Sequence, residues 1–330
     1  MPSSTSNNTI NSTSATSSPL NFPPITEQHI RNCSFSSWYE NFKRITLKSK
    51  IIKPLPDEFI KYLHADGVYL PDRNYLEGIH AGEISSDEEY GLEKEIWDIV
   101  NGFGGAVFPK LNWSSPKDAT WISTTNTLKC NSPSDIFLLL KSSDFIAHDL
   151  DHAFEECYYE DEDVSRKLPS DEFELVLRKW YDVAPSMEFR CFVKDNEIVE
   201  IKDELETSIT NFFESNIKER FPDSNYVIDV YISRNRERVW LMDFNPFGPM
   251  TDSLLYSWEE ILTRPSSPKL RLVTSQAEAS QSHNMAYSVN RYPREMFDFS
   301  QGQTVAEFAE RFQNALAVSG RGNDEESENE

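Results

Sequence analysis

Residues 238–248 read RVWLMDFNPFG, and a similar run of β-branched and aromatic residues, YVIDVYI, precedes them at 226–232. The polar residues between the two runs are typical of a hairpin connection. Alternate residues of a strand share a face, so Asp243 and Asn245 should project side by side, with Asp229 opposite them on the partner strand. The pattern predicts an antiparallel hairpin that carries two carboxylates and one carboxamide on a single face.

This polar patch has two interpretations. Oxygen ligands on rigid strands suit Mg²⁺, which typically takes one or two carboxylates and completes its shell with phosphates and water. Facing acceptors would also repel one another, so the patch requires a positive partner. Alternatively, Asp229 only ends a strand and the sequence from Asp243 to Pro246 opens a turn, because Asp, Asn and Pro favour turns. The two strands alone leave both interpretations open.

The composition is that of a soluble globular protein. The chain has 330 residues, 38% of them apolar and 12% aromatic, enough for one large or two ordinary domains. A formal charge of −23 disfavours nucleic-acid backbones and anionic membranes as partners. Four scattered cysteines without a C-x-x-C pair favour reduced thiols, and no apolar run reaches the length of a membrane span. We therefore expect a cytoplasmic protein.

The chain divides into four predicted segments. Residues 1–27 should form a disordered extension rich in Ser, Thr and Asn, and residues 28–170 an N-terminal lobe with mobile acidic loops. Residues 171–300 should form a C-terminal lobe, and residues 301–330 a helix and an acidic tail. Helical periodicity is found at about 35–42, 59–63, 92–101, 135–145 and 203–220, and strand-like runs begin near residues 51, 106, 119, 173 and 188.

Basic residues are concentrated in a few places. The most basic stretch of this acidic chain contains Lys43, Arg44, Lys48, Lys50 and Lys53. A second feature is the loop that joins the strand-like runs near 106 and 119. Its backbone N–H groups and a lysine could cover a phosphate, although most such loops are only turns.

Arg178, Lys179 and Arg190 lie on predicted strands of the second half of the chain. If they face Asp229 and Asp243, they would place positive charge around a polyanion and its metal. Cross-strand ion pairs on a solvated sheet explain the same spacing equally well.

Five motifs, taken together, closely resemble the cell division cycle protein 123 family, whose members are assembly chaperones of eukaryotic translation initiation factor 2. The motifs are FPKLNWSSPKDATW at 108–121, SDIFLLLKSSDF at 134–145, LVLRKW at 175–180, EFRCFV at 188–193 and DFNPFG at 243–248. The resemblance runs from about Cys33 to Phe299 and excludes the acidic loops. Motifs of this length in this order are highly specific.

The resemblance implies an α+β fold of the ATP-grasp type, in which two lobes clamp ATP between antiparallel sheets. The nucleotide-binding residues that it implies are Lys110, Asn112, Trp113, Asp118, Arg178, Lys179, Trp180 and Arg190. The Mg²⁺ ligands that it implies are Asp229, Asp243 and Asn245. The loop from Ser114 to Asp118 would lie over the phosphates, and residues 178–180 would form the hinge at the adenine.

One departure from the family pattern follows the EFRCFV motif. A segment present in the family is absent, so the C-terminal lobe should be shortened near residues 199–203. This departure puts nucleotide binding in doubt.

For function, the resemblance implies an ATP-binding assembly chaperone rather than a turnover enzyme. It would bind the gamma subunit of initiation factor 2 and promote assembly of the alpha-beta-gamma complex, supporting translation initiation and cell-cycle progression. An acidic surface suits a basic partner of this kind. Two alternatives remain at this point: an ATP-grasp carboxylate–amine ligase and a nucleotide-independent scaffold.

Overall fold

The computed structural model describes residues 22–68, 70, 91–159, 167–198 and 204–263. Several expectations lie outside these residues: most of the N-terminal extension, most of the acidic loops, the shortening near 199–203, and the helix and tail after residue 300.

Within these ranges, the chain alternates short helices and strands. The α-helices are α1 (Glu27–Asn32), α2 (Phe35–Phe42), α3 (Asp57–His64), α4 (Leu92–Gly102), α5 (Pro133–Lys141), α6 (Asp144–Asp151), α7 (Glu204–Asn216) and α8 (Trp258–Thr263). The strands are β1 (Ser49–Ile52), β2 (Val107–Lys110), β3 (Leu175–Lys179), β4 (Glu188–Lys194), β5 (Glu197–Ile198), β6 (Tyr226–Ile232) and β7 (Val239–Pro246).

The strands form two antiparallel sheets. The first has the order β1-β3-β2 and the second has the order β5-β4-β6-β7. The predicted α+β class with two antiparallel sheets is confirmed. The predicted lobe boundary at residues 170 and 171 falls before β3, although β3 pairs with both β1 and β2 of the first sheet.

The β6–β7 hairpin forms as the sequence predicts. Its loop is closed by the N–H of Ser233, which donates to the carbonyl of Arg238 at 2.8 Å. Asp229 lies directly opposite Asp243, but the register shifts just beyond this pair, because Val230 faces Leu241. Met242 is thus the extra residue of a β-bulge, a feature that bends a strand and redirects its side chains.

Two predicted elements have a different secondary structure from the one expected. The run that begins at residue 119 is not a strand, because Lys117–Ile122 is a 3₁₀-helix. The carboxylate of Asp118 accepts hydrogen bonds from the Ser143 hydroxyl and the Asp144 N–H, which hold this segment against the start of α6. The predicted helix at 135–145 is likewise divided into α5 and α6, since Ser143 caps the N-terminus of α6 with its side chain.

Apolar side chains form two main clusters. One contains residues of the first sheet with α3, α4, α5 and α6, and the other contains residues of the second sheet with α2 and α7. The aromatic face of α2 belongs to the second core, where the rings of Trp38 and Phe42 lie 5.3 Å and 5.2 Å from the ring of Phe244. Burial of each such ring stabilises the fold by roughly 1.5–3 kcal/mol.

All four cysteines are buried thiols, as the sequence predicts. Across the described residues, we find no helix with the length and apolar character needed to cross a membrane.

Candidate functional site at the junction of the two sheets

The site is centred on the opposed carboxylates of Asp229 and Asp243. Their side chains are only 20% and 18% exposed, so solvent screens their repulsion weakly. Like charges directly opposite on neighbouring strands destabilise a sheet. Each carboxylate is therefore paired with its own cation: Lys110 from the first sheet and Arg190 from the second.

Lys110 links the first sheet to the second. Its side chain is completely buried, and its Nζ lies 2.6 Å from Oδ2 of Asp243. The same Nζ donates a hydrogen bond to the backbone carbonyl of Trp113. The other oxygen of Asp243 accepts from the N–H of Phe244 at 3.1 Å. Because β2 and β7 belong to different sheets, this ion pair helps to hold the two sheets together.

Arg190 forms a bidentate ion pair with Asp229. Its Nε and Nη2 lie 2.7 Å and 2.8 Å from the two carboxylate oxygens. Burial alone would raise the pKa of Asp229, but the Arg190 guanidinium outweighs it, with smaller contributions from Lys117 and Asn245. The net effect holds the pKa of Asp229 below its usual range, so the carboxylate is ionised at neutral pH. Asn245 completes the group by donating to Asp229 at 3.2 Å.

Arg178 lies between the two sheets, next to this group. Its guanidinium is buried 5.3 Å from the ring centroids of both Phe35 and Phe108. Nη1 donates to the carbonyl of Met242 at 2.9 Å, and Nη2 lies 3.3 Å from the hydroxyl of Thr46. The bulge thus presents a carbonyl of β7 to the first sheet. Burial lowers the pKa of Arg178, and the charge of nearby Asp243 opposes that effect.

These contacts leave one nitrogen of the Arg178 side chain without a partner among the described residues. The Nε of Arg178 is buried and has no hydrogen-bond partner among the described residues. An unsatisfied buried donor costs about 1–3 kcal/mol, and a bound water or ion is one way in which such an atom is satisfied.

The side chains of Asn112 and Trp113 have partners inside the fold. The amide of Asn112 donates to the carbonyl of Glu172 at 3.0 Å and accepts from the N–H of Glu174 at 3.2 Å. The indole N–H of Trp113 donates to the carbonyl of Ile30 at 2.8 Å. Of these two residues, only the Trp113 backbone reaches the site, through its contact with Lys110.

Asp118 also has internal partners, in the contacts with Ser143 and Asp144 that begin α6. Burial raises the pKa of its carboxyl group. Lys117, by contrast, is exposed, and its charge acts on Asp229. In the predicted phosphate loop, Lys117 is therefore the residue that acts on the site.

Lys179 and Trp180 lie at the end of β3. The ammonium of Lys179 is 5.7 Å from the ring centroid of Tyr181. The backbone N–H of Trp180 donates to the carbonyl of Ala106 at 3.1 Å, and its ring meets that of Phe108 edge-on at 6.2 Å. The chain leaves the first sheet at this segment and continues to β4.

Sequence reasoning missed the buried carboxylate of Asp149. It accepts the backbone N–H groups of Trp113 and Ser114 at 3.2 Å and 2.8 Å, and the Ser114 hydroxyl at 2.7 Å. Burial raises the pKa of Asp149, and the hydrogen bonds from Ser114 oppose this shift. The missed signal was an acidic residue on the same helical face as Ile146 and Leu150, both of which are buried.

The donor set fits Mg²⁺ and a phosphate ligand in its chemistry. Two carboxylates and an amide oxygen are the hard ligands that Mg²⁺ takes. The neighbouring Lys110, Arg178 and Arg190 are suited to phosphate oxygens. No group of three or more His, Cys, Asp or Glu side chains in the described ranges is placed to bind a metal, so substrate oxygens would have to complete the coordination.

The chain was compared with known proteins. It matches the D123 family over residues 38–300. A curated relative from Schizosaccharomyces pombe, named translation initiation factor eIF2 assembly protein, is 40% identical over 315 residues, which cover 88% of this chain and 96% of the relative. A protein of the same name from Vanderwaltozyma polyspora is 41% identical over 294 residues, covering 74% of this chain and 78% of that protein.

Among solved structures, Cdc123 from Schizosaccharomyces pombe superposes with a TM-score of 0.64 at 39% identity. The match covers 77% of this chain and all of the Cdc123 chain. Sequence and fold therefore agree, and the chain belongs to the D123 family.

Proposed function

We propose that this protein is an assembly factor for eukaryotic translation initiation factor 2 that binds ATP and Mg²⁺ where its two sheets meet. The initiation-factor role is supported by the names of its relatives. The nucleotide role is supported by one observation above all: two opposed carboxylates and three basic side chains converge at the junction of the sheets.

In this proposal, Asp229, Asp243 and Asn245 would hold Mg²⁺, which would supply positive charge for the nucleotide phosphates. Asp243 would exchange Lys110 for the metal, and Asp229 would loosen its pair with Arg190. Both cations would then be available to phosphate oxygens, together with Lys117. Arg178, which is already positioned by Met242 and two aromatic rings, would contribute its unused Nε.

Nucleotide binding would therefore change the contacts that join the two sheets. Lys110 and Arg178 are the side chains of the first sheet that bond to β7. A ligand that binds these two side chains would weaken their contacts with β7 and so the attachment between the lobes. We infer that ATP would set the distance between the lobes at which the partner binds. We propose that this partner is the gamma subunit of initiation factor 2. The outcome would be assembly of the alpha-beta-gamma complex in the cytoplasm.

The test is replacement of the resident eIF2 assembly protein in Schizosaccharomyces pombe by this chain. We expect the wild-type chain to restore co-purification of the three initiation-factor subunits. A Lys110→Met, Asp243→Asn variant, which removes the ion pair without leaving either charge alone, should fail. Asp98→Asn, which changes an exposed carboxylate of α4, serves as the matched control and should restore assembly.

A second candidate function is a nucleotide-independent scaffold. It is favoured by the balance of charge at the site, because Lys110 and Arg190 already neutralise Asp243 and Asp229 without any ligand. Full restoration of assembly by the Lys110→Met, Asp243→Asn variant would support this candidate. Failure of the stable wild-type chain to restore assembly would reject the initiation-factor role itself.

A further inference from the structure

The cationic side chains of the most basic stretch of the sequence play no part in the site described above. The structure places it at a junction of three segments: residues 43–50, residues 179–182 and the β6–β7 loop with the start of β7. The N–H of Leu241 donates to the carbonyl of Ile45 at 2.8 Å, and Thr46 forms an isolated β-bridge with Leu241. The N–H of Lys179 donates to the carbonyl of Lys48 at 2.8 Å.

The third contact joins the loop to the segment after β3. The Nη2 of Arg234 lies 3.8 Å from a carboxylate oxygen of Asp182. Each segment therefore touches at least one of the others, and the three together form one surface. We call it the basic junction and define it by six cationic residues: Arg44, Lys48, Lys179, Arg234, Arg236 and Arg238.

These cations are largely uncompensated. Five of the six are exposed, and Lys179 is half-buried. Arg234 has the long contact with Asp182, and for the other five no carboxylate of the described residues lies within ion-pair distance. Glu237, the acidic residue of the loop, accepts from the side chain of Asn235 instead.

Two further features keep positive charge concentrated here. A backbone hydrogen bond joins Lys179 to Lys48 just beyond the end of the β1–β3 ladder, so two like charges lie on neighbouring segments. Arg238 lies 5.4 Å from the ring centroid of Trp240, and this contact holds the guanidinium at the surface. An anionic partner would relieve this repulsion.

The surrounding charge limits what that partner can be. The whole chain carries a formal charge of −23, so a long polyanion such as RNA would leave the basic junction and meet an acidic surface. A short acidic protein segment fits within the junction and avoids that repulsion. We propose that the basic junction is a docking surface for a segment of a partner protein rich in Asp and Glu.

Five of the six cations lie outside the residues implied to bind nucleotide, and the variants below leave the sixth, Lys179, unchanged, so the test is separate from nucleotide binding. The test is fluorescence anisotropy of a short labelled peptide of alternating Asp and Glu residues, titrated with the full chain at low and at physiological salt. Arg236→Glu with Arg238→Glu should weaken binding about tenfold or more, and Lys48→Glu should weaken it as well. Arg220→Glu, which reverses an exposed cation outside the junction, is the matched control and should have little effect.

Three results would overturn the proposal. Equal loss of binding in Arg220→Glu and in the junction variants would show that only net charge matters. Tighter binding of an oligouridine than of the peptide would assign the surface to RNA. A marked gain in peptide affinity after deletion of residues 320–330, which include the acidic run at 324–330, would mean that the chain occupies its own junction. Unchanged affinity after that deletion supports an external partner.

Discussion

Replacement of Lys110 by methionine tests how strongly the two sheets depend on one ion pair. The Nζ of Lys110 is fully buried and lies 2.6 Å from Asp243, so the attraction is about 6 kcal/mol at an effective dielectric constant of roughly 20, before the cost of desolvation. Removal of one partner from a buried pair typically costs about 3–5 kcal/mol. Asp243 remains 18% exposed and keeps the N–H of Phe244, so we expect the lower value, about 3 kcal/mol.

The assay is equilibrium unfolding in urea, followed by tryptophan fluorescence and by circular dichroism. Lys110→Met alone should lower the free energy of unfolding by about 3 kcal/mol, whereas Lys110→Met with Asp243→Asn should recover much of that loss. Recovery is expected because the double variant buries no unpaired charge. A loss below about 1 kcal/mol in the single variant, or a double variant as unstable as the sum of the two single variants, would refute the reasoning.

Three further outcomes follow from the structure. Asp229→Asn should make the free energy of unfolding less dependent on pH on the acid side. The folded-state pKa of Asp229 is below the ordinary value of about 3.9, so this carboxylate contributes stability above pH 4 that is lost as the pH falls. Urea unfolding at several pH values measures the difference. Asn112→Ala should cost about 1–3 kcal/mol of stability and leave the Kd for ATP unchanged, because its amide is bonded inside the fold; a large change in Kd would place Asn112 at the nucleotide. The Cys130 and Cys191 thiols, whose pKa values burial raises, should react with a thiol reagent only in denaturant, and fast labelling of the native chain would contradict their burial.

The local parts of the site could be predicted from the sequence. The β6–β7 hairpin depends on neighbouring residues, so a period of two was enough to place Asp229 opposite Asp243. The bulge at Met242 was not predicted. Leu241 and Phe244 lie three residues apart and would point to opposite faces of a regular strand, and their common burial is seen only in the structure.

The long-range contacts could not be predicted from pattern alone. Lys110 and Asp243 are 133 residues apart and meet only because two sheets pack together. The family resemblance named both residues but not their ion pair. Asp118 is a second case, because its carboxylate accepts hydrogen bonds from Ser143 and Asp144 at the start of α6, whereas the place of its loop over the phosphates stays a prediction.

Calorimetric titration of ATP with Mg²⁺ into the full chain tests the central proposal most directly. We predict binding at one site by the wild-type chain and by Asp98→Asn, dependence on Mg²⁺, and loss of binding in the folded Lys110→Met, Asp243→Asn variant. Binding of equal strength in that variant, or no binding by the wild-type chain, would contradict a nucleotide site at the junction of the two sheets.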